Sequence, residues 1–407
     1  FYASYSGTLG AYDARLSLLG YSGSWNASDQ LPLRAVKDGT IDELGFIDPD
    51  LGGATDRFGL TGELGGDQWQ AMAYVVDYDF ELFSNFTYLL DDPVFGDQFE
   101  QVDKRRVYGL HIDGSAFAPI KLNWGGDIRY DDIEQVGLFR TVARERREAV
   151  RSDSVGQFSA SAYAELEYEP IPGLRASAGV RADYFSWDVD ALRQENSGTG
   201  DDLLVSPKIN LAYQLSDSAE VYANWGRGFH SNDARGNTIT VDPATGDPAD
   251  PVDPLSRSTG GEIGLRLERD ERFNATLTGF WLNLDSELVF VGDAGGTEAV
   301  GASTRRGVEL STFLQANDWL SVNFAYTYTD SKLDKDDGAG RRVPGAIESS
   351  ASLGINGAWS NGAFVSARFR YLGEAPLIED NSVRSPSSTL VNVGGGYRFG
   401  RFGIRLD

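Results

Sequence analysis

Cysteine is absent from this chain of 407 residues, methionine occurs once and histidine twice. The missing cysteines exclude disulfides and thiol chemistry, and suit an exported protein that crosses an oxidising compartment unfolded. Positive charge is scarce as well: 36 Lys and Arg face 61 Asp and Glu, and the net charge of −25 excludes a nucleic-acid partner. No apolar run approaches the roughly 18 residues that a membrane helix needs. If the chain spans a membrane it does so with strands of about 9–11 residues, because only helices and closed sheets satisfy their own backbone in lipid. Also missing are a P-loop, Gly-x-Ser-x-Gly, His-Glu-x-x-His and paired His-Cys spacings. Neither catalysis nor a cofactor is therefore expected.

What is present is alternation, seen most clearly from Gln157 to Trp187. Phe158, Ala160, Ala162, Ala164, Leu166 and Tyr168 fall on one face at period two, opposite Ser159, Ser161, Tyr163, Glu165, Glu167 and Glu169. Pro170-Ile171-Pro172-Gly173 then forces a turn, since two prolines fix φ and remove donors and a glycine accepts positive φ. The pattern resumes with Leu174, Ala176, Ala178, Val180, Ala182 and Tyr184 against Arg175, Ser177, Gly179, Arg181 and Asp183. An apolar face rich in Ala and ending in Tyr suits lipid and an aromatic girdle, and the charge opposite is too much for a dry core and fits a wet lumen. An ordinary antiparallel sheet with one solvated face is the alternative.

The same grammar predicts about eighteen strands, near 1–6, 11–26, 56–65, 68–84, 104–116, 120–133, 155–169, 174–188, 203–215, 218–226, 257–269, 272–288, 303–316, 319–331, 346–359, 362–373, 387–399 and 402–407. Tight turns alternate with long polar segments, which run from Ala27 to Asp56, Phe86 to Asp103, Glu134 to Ser154, Gly228 to Ser256, Asp330 to Gly345 and Glu374 to Pro386. Brief turns at one end and long loops at the other are what an outer-membrane barrel requires, whereas a sandwich has no reason to alternate so regularly. The expected fold is an all-β transmembrane antiparallel barrel.

Ser206-Pro207-Lys208-Ile209-Asn210 through Trp225-Gly226-Arg227-Gly228-Phe229 resembles the mid-barrel hairpin of the TonB-dependent outer-membrane receptors. So do Arg306-Gly307-Val308-Glu309-Leu310 through Trp319-Leu320-Ser321-Val322-Asn323, and Val343-Pro344-Gly345-Ala346 resembles the start of a late strand. The resemblance covers nearly the whole chain with motifs that are individually weak but correctly ordered. It implies that residues 1–407 are a barrel domain running from about the fourth to the twenty-first of twenty-two strands. Residues 1–407 are then expected to be a fragment, with the plug domain, the TonB-contacting segment and the closing strand outside it. It further implies a monomer in the Gram-negative outer membrane, with lipid, the periplasmic TonB protein and a small metal chelate as partners.

The segment Glu134 to Ser154 gathers Arg140, Arg144, Arg146, Arg147 and Arg151 in an acidic protein. Arginine forks make bidentate bonds to carboxylate or phosphate, so Arg140, Arg144 and Arg147 are candidates to hold an anionic chelate. Pairing with Glu145, Glu148 and Asp153, or contact with lipopolysaccharide phosphates, is the alternative. Phe229, His230, Asn232, Asp233 and Arg235 are candidate pocket-lining residues where a strand emerges into a loop, although Asx-turns alone could account for their polar members. A lone His230 makes a poor metal ligand, and His111, inside a strand, reads as a lumen residue hydrogen-bonded to its neighbours. Asp91, Asp92, Asp97 and Glu100, or Asp242, Asp247, Asp250 and Asp253, offer oxygens for Ca²⁺ but match no EF-hand, so solvated loops are the default. The resemblance implies active uptake of a scarce chelate, most commonly a ferric siderophore. A passive porin is the alternative, because 16–18 strands already leave an aqueous channel.

Overall fold

The computed structural model describes every residue except 118, 119, 287, 292–295, 300 and 337. Its first nine wall strands are β1 Tyr2–Leu9, β2 Tyr12–Asn26, β3 Gly52–Gly65, β4 Trp69–Ser84, β5 Phe99–Phe117, β6 Lys121–Val142, β7 Glu145–Ile171, β8 Leu174–Asp190 and β9 Gly198–Ser216. The other nine are β10 Ala219–Ser231, β11 Leu255–Arg269, β12 Phe273–Leu284, β13 Ser303–Asn317, β14 Leu320–Leu333, β15 Ser349–Ala358, β16 Ala363–Leu372, β17 Ser388–Phe399 and β18 Phe402–Leu406. They form one eighteen-stranded sheet in which each strand pairs, antiparallel, with its neighbours in sequence. Residue 287 of the expected strand 272–288 and residue 337 of the expected loop Asp330 to Gly345 lie outside the described residues.

Exposure along these strands is inverted relative to a water-soluble sheet. On β7 the apolar Ala162, Ala164, Leu166 and Tyr168 are exposed, while Tyr163, Glu165 and Glu167 between them are partly covered. Val180, Tyr326 and Phe369 are likewise exposed, and Asp183, Ser206, Glu220 and Thr278 are buried. A sheet that turns apolar side chains outward and covers its carboxylates belongs in hydrocarbon, with water inside. The expected barrel, strand count and faces all stand.

The covered face is stitched by ion pairs whose members sit two residues apart on one strand and so share a face. Arg129 meets Asp131 at 2.6 Å, Arg151 meets Asp153 at 2.5 Å and Arg181 meets Asp183 at 2.8 Å. Glu220 lies between Arg175 and Arg266. His111 is held from both sides, Nδ1 at 2.6 Å from Asp127 and Nε2 at 2.9 Å from Asp113, as a lumen residue should be. Pairing of this kind makes buried carboxylates tolerable, since an isolated one carries a large desolvation cost.

The structure corrects one expected loop. Glu134 to Ser154 is not irregular: β6 and β7 run on as a long hairpin that turns at Ala143 and Arg144, with φ of +49° and +64°. Two adjacent positive φ values are the signature of a two-residue turn whose twist matches the flanking strands. The apolar alternation stops near Ile133 because nothing apolar is needed beyond the membrane. Backbone pairing continues through bulges between Ile133 and Val136, Leu138 and Phe139, and Arg140 and Thr141. Similarly, β10 continues to Ser231, so Phe229 and His230 close a strand and only residues 232–254 form the connection.

Faces so assigned predict an asymmetry. Val180→Arg, on the outward face of β8, should destabilise the protein by about 2–4 kcal/mol in urea unfolding from bilayers, whereas Ser177→Arg on the interior face should cost well under half of that.

Candidate functional site

Two groups of loops gather at the long-connection end of the barrel. In the first, the tip of the β6–β7 hairpin is fastened by Gln98. Its Oε1 accepts from Thr141 Oγ1 at 2.9 Å and Arg144 N–H at 2.8 Å, and its Nε2 donates to Asp48 at 2.6 Å. Arg144 donates to the Asp50 carbonyl at 2.7 Å and lies over the Phe83 ring at 5.0 Å. Arg146 grips the buried Glu100 with bonds of 2.5 and 2.7 Å, and Arg147 stacks 3.7 Å from the Phe95 ring centre. Arg140 is 3.8 Å from Glu148, with both side chains more than half exposed, an arrangement worth little to stability.

Asp97 organises the neighbouring loop by accepting from the N–H groups of Leu90 and Asp92, both at 2.7 Å, and from Thr87 Oγ1 at 2.8 Å. Burial alone would raise its pKa, but these donors prevail and hold the carboxyl below its ordinary value. Asp242 likewise accepts from the N–H groups of Ala244 and Thr245 at 2.8 and 2.7 Å. These acids serve their own backbone, and among the described residues no three His, Asp or Glu side chains are grouped to hold a metal.

The second group is built on the end of β10. Phe229 meets Phe185 edge to face at 6.3 Å, and Asn232 donates to the Asp253 carbonyl at 2.5 Å. Asp233 begins the one-turn helix Ala234–Asn237, accepting from Arg235 N–H at 2.9 Å and from its guanidinium at 3.0 and 2.7 Å. Burial would raise the Asp233 pKa, yet the charge and bonds of Arg235, with Arg151 beyond, hold it far below the carboxylate range. Ala234 is buried among Ile133, Val155, Val189 and Ala191, which fixes the turn against the wall formed by β6 to β8.

The expected site residues therefore divide. Arg140, Arg144 and Arg147 belong to the hairpin tip and its neighbours. Phe229 and His230 end β10, with Phe229 against Phe185 of β8, Asn232 is tied to Asp253, and Asp233 and Arg235 flank the Ala234 that is seated against the hairpin's base. Sequence reasoning passed over Gln98 and Glu100 as organisers of the tip, and no local signal marks them, because each acts on a strand distant in sequence. The Arg151-x-Asp153 spacing, repeated at Arg129 and Arg181, was a usable signal for charged residues sharing the interior face.

A family model described as "TonB dependent receptor-like, beta-barrel" matches residues 2–407. The chain belongs to the TonB-dependent receptor family. Receptors of this family are transporters of the Gram-negative outer membrane. Among solved structures, the ferric citrate transporter FecA superposes with a TM-score of 0.75 at 14% identity, over 96% of this chain and 61% of its own. The copper transporter OprC gives 0.74 at 16% identity, over 98% and 63%. The ferric-catecholate receptor Fiu of E. coli K12 gives 0.71 at 13% identity, over 98% and 68%. At these identities the likeness establishes the barrel fold, and this chain spans roughly two thirds of the length of each receptor.

Replacing Gln98 by Ala removes the acceptor of the Arg144 amide and should speed hydrogen exchange at Arg144, with little change at Thr141, whose N–H bonds the Gln98 backbone carbonyl, or at the Asp233 turn. For Asp97 the lowered pKa fixes the sign: its ordering of residues 87–92 persists above the ordinary carboxylate value near 4 and is lost as pH falls through the lowered one. The amide resonances of Leu90 and Asp92 should accordingly hold their positions from pH 7 to about 4 and collapse only in stronger acid.

Proposed function

We propose that this chain is the barrel wall of an outer-membrane receptor for TonB-energised uptake of an anionic metal chelate, a ferric siderophore being the favoured class. The observation that carries the reading is the concentration of arginines on the β6–β7 hairpin of a chain whose net charge is −25. A strongly acidic surface repels anions, so a basic projection at the loop end serves a purpose if an anion must reach it. Similar folds in ferric citrate, ferric-catecholate and ferric yersiniabactin receptors support the substrate class, and the copper transporter keeps other metals in view. The plug and the segment that meets TonB belong to the proposal. Arg140 and Arg147 are the guanidiniums best placed to reach a ligand, because Arg144 and Arg146 are committed to Asp50 and Glu100.

A passive porin is the second reading, favoured by a wide interior lined with charge. The two separate in cells expressing the full-length protein. Uptake of the chelate should stop when the inner-membrane proton gradient is collapsed, and uptake that continues unchanged would indicate a porin. Replacing both Arg140 and Arg147 by Ala should weaken binding of an anionic ferric chelate by about tenfold or more, since each charge-assisted bond carries about 1.5–3 kcal/mol. Undiminished affinity for every anionic chelate would leave the ligand class open.

A further inference from the structure

We infer that the interior face of β16, β17 and β18 carries an anion track, a row of guanidiniums along which an anionic solute passes from the loop end of the barrel towards its short-turn end. The inference rests on the proposed anionic chelate as cargo and assigns to it a second site, separate from the β6–β7 hairpin.

The row follows from alternation and register. Arg368 and Arg370 flank Phe369 on β16, so they face inward where Phe369 faces lipid. Arg398 and Arg405 alternate in the same way with the outward Tyr397 and Ile404. Across the backbone pairing, Arg370 stands beside Leu390 of β17 and Arg368 beside Asn392, while Arg405 of β18 stands beside Gly396, just above Arg398. The row therefore runs from the level of Leu390 to that of Arg398. That is about 27 Å along the strand at ~3.4 Å per residue, most of the height of a barrel's apolar band even after strand tilt. All four arginines, with Asp407, border one depression of about 920 Å³.

What sets these cations apart is the lack of counter-charge. Elsewhere on the interior face Arg129, Arg151, Arg175, Arg181 and Arg266 each bind a carboxylate. Strands β15 to β18 contain no Asp or Glu. Among the described residues no side chain pairs with Arg368, Arg370 reaches only Asn392 Oδ1 at 3.4 Å, and Arg398 lies 5.3 Å from the Phe364 ring centre. Only Arg405 meets an acid, Asp407 at 2.7 Å. An acidic chain of net charge −25 thus keeps one strip of its interior positive, and a strip of one sign along a low-dielectric wall concentrates the opposite ion.

The spacing favours passage over anchorage. A fixed acidic partner is best held by cations gathered at one place, whereas these are strung at intervals of about 7 and 14 Å. Arg368, Arg370 and Arg398 are exposed. Weak sites in series are what conduction requires, since each must be favourable enough to enter and loose enough to leave, and the guanidinium fork suits carboxylate or phosphate oxygens at every step.

Two measurements on the full-length protein test the track. In the first, Asn392→Cys places a lone thiol beside Arg368, and its reaction rates with an anionic and a cationic methanethiosulfonate are compared. The ratio of the two rates cancels the thiolate fraction. It should favour the anionic reagent relative to a free thiol in solution, and should fall about tenfold when Arg368→Gln and Arg370→Gln are added. A ratio equal to that of the free thiol would overturn the track whatever the ligand. In the second, ferric citrate binding and energised uptake are measured separately. Arg368→Gln with Arg370→Gln should slow uptake about tenfold while binding at the loop end stays within about twofold, and the two Lys substitutions should keep most of the uptake. Native uptake in the Gln variant would overturn the track and leave the anionic reading standing. Leakage of uncharged sugars through the Gln variant would overturn it too, because the arginines would then be holding another part of the protein in the lumen. Failure of the native protein to bind ferric citrate or any other anionic ferric chelate would sink the anionic reading and the track's cargo with it, and the thiol ratio would still decide whether the positive strip exists.

Discussion

A backbone amide in hydrocarbon has no water to bond, and the rest of this structure follows from that constraint. Pairing every strand with its sequence neighbours through short turns and longer connections satisfies those amides along the wall with the simplest possible topology. It also fixes which side chains meet lipid, because alternate residues must point to opposite faces. Small Ala, aliphatic Val and Leu, and flanking Tyr can point outward freely, so the charged positions between them are forced inward. There they survive by pairing, as Arg129 with Asp131 and Arg181 with Asp183 illustrate.

Above the membrane the constraint lapses, and side chains rather than backbone decide what is rigid. The β6–β7 hairpin keeps its ladder far beyond the apolar band and serves as a post on which both loop groups lean. Its tip is tied to residues 48, 50, 98 and 100, and its base supports the Ala234 turn. The tip therefore presents the arginines of an acidic protein on a firm mount, while the base seats the following connection through the buried Ala234.

The wall was legible in the sequence because membrane strands repeat a two-residue physical rule, and a run such as Ala160 to Tyr168 states that rule without reference to any other part of the chain. The same rule hid the projecting hairpin. Outside lipid a strand needs no apolar face, so Glu134 to Ser154 looked like a loop although its backbone pairs almost throughout. Individual site residues were legible by chemistry and not by grouping. The arginines were visible as a charge anomaly, but the commitment of Arg144 to Asp50 and of Arg146 to Glu100 depends on contacts between strands and loops far apart in sequence, which alternation does not encode. Asp233 and Arg235 read as an Asx-turn and are one; what the sequence could not reveal is the wall against which that turn is pressed.

The apolar faces of these strands meet lipid and the charged faces meet water. A chain without cysteine allows this to be measured with single introduced thiols in native outer membranes. Cysteines at Ala162, Val180, Tyr326 and Phe369 should resist a membrane-impermeant maleimide and should report contact with quenchers carried on lipid tails. Cysteines at Ser161, Tyr163, Ser177 and Thr327 should show no contact with those quenchers. If both sets react alike with the aqueous reagent, or if the first set shows no contact with lipid, the barrel's faces have been assigned wrongly and the functional reading built on them falls.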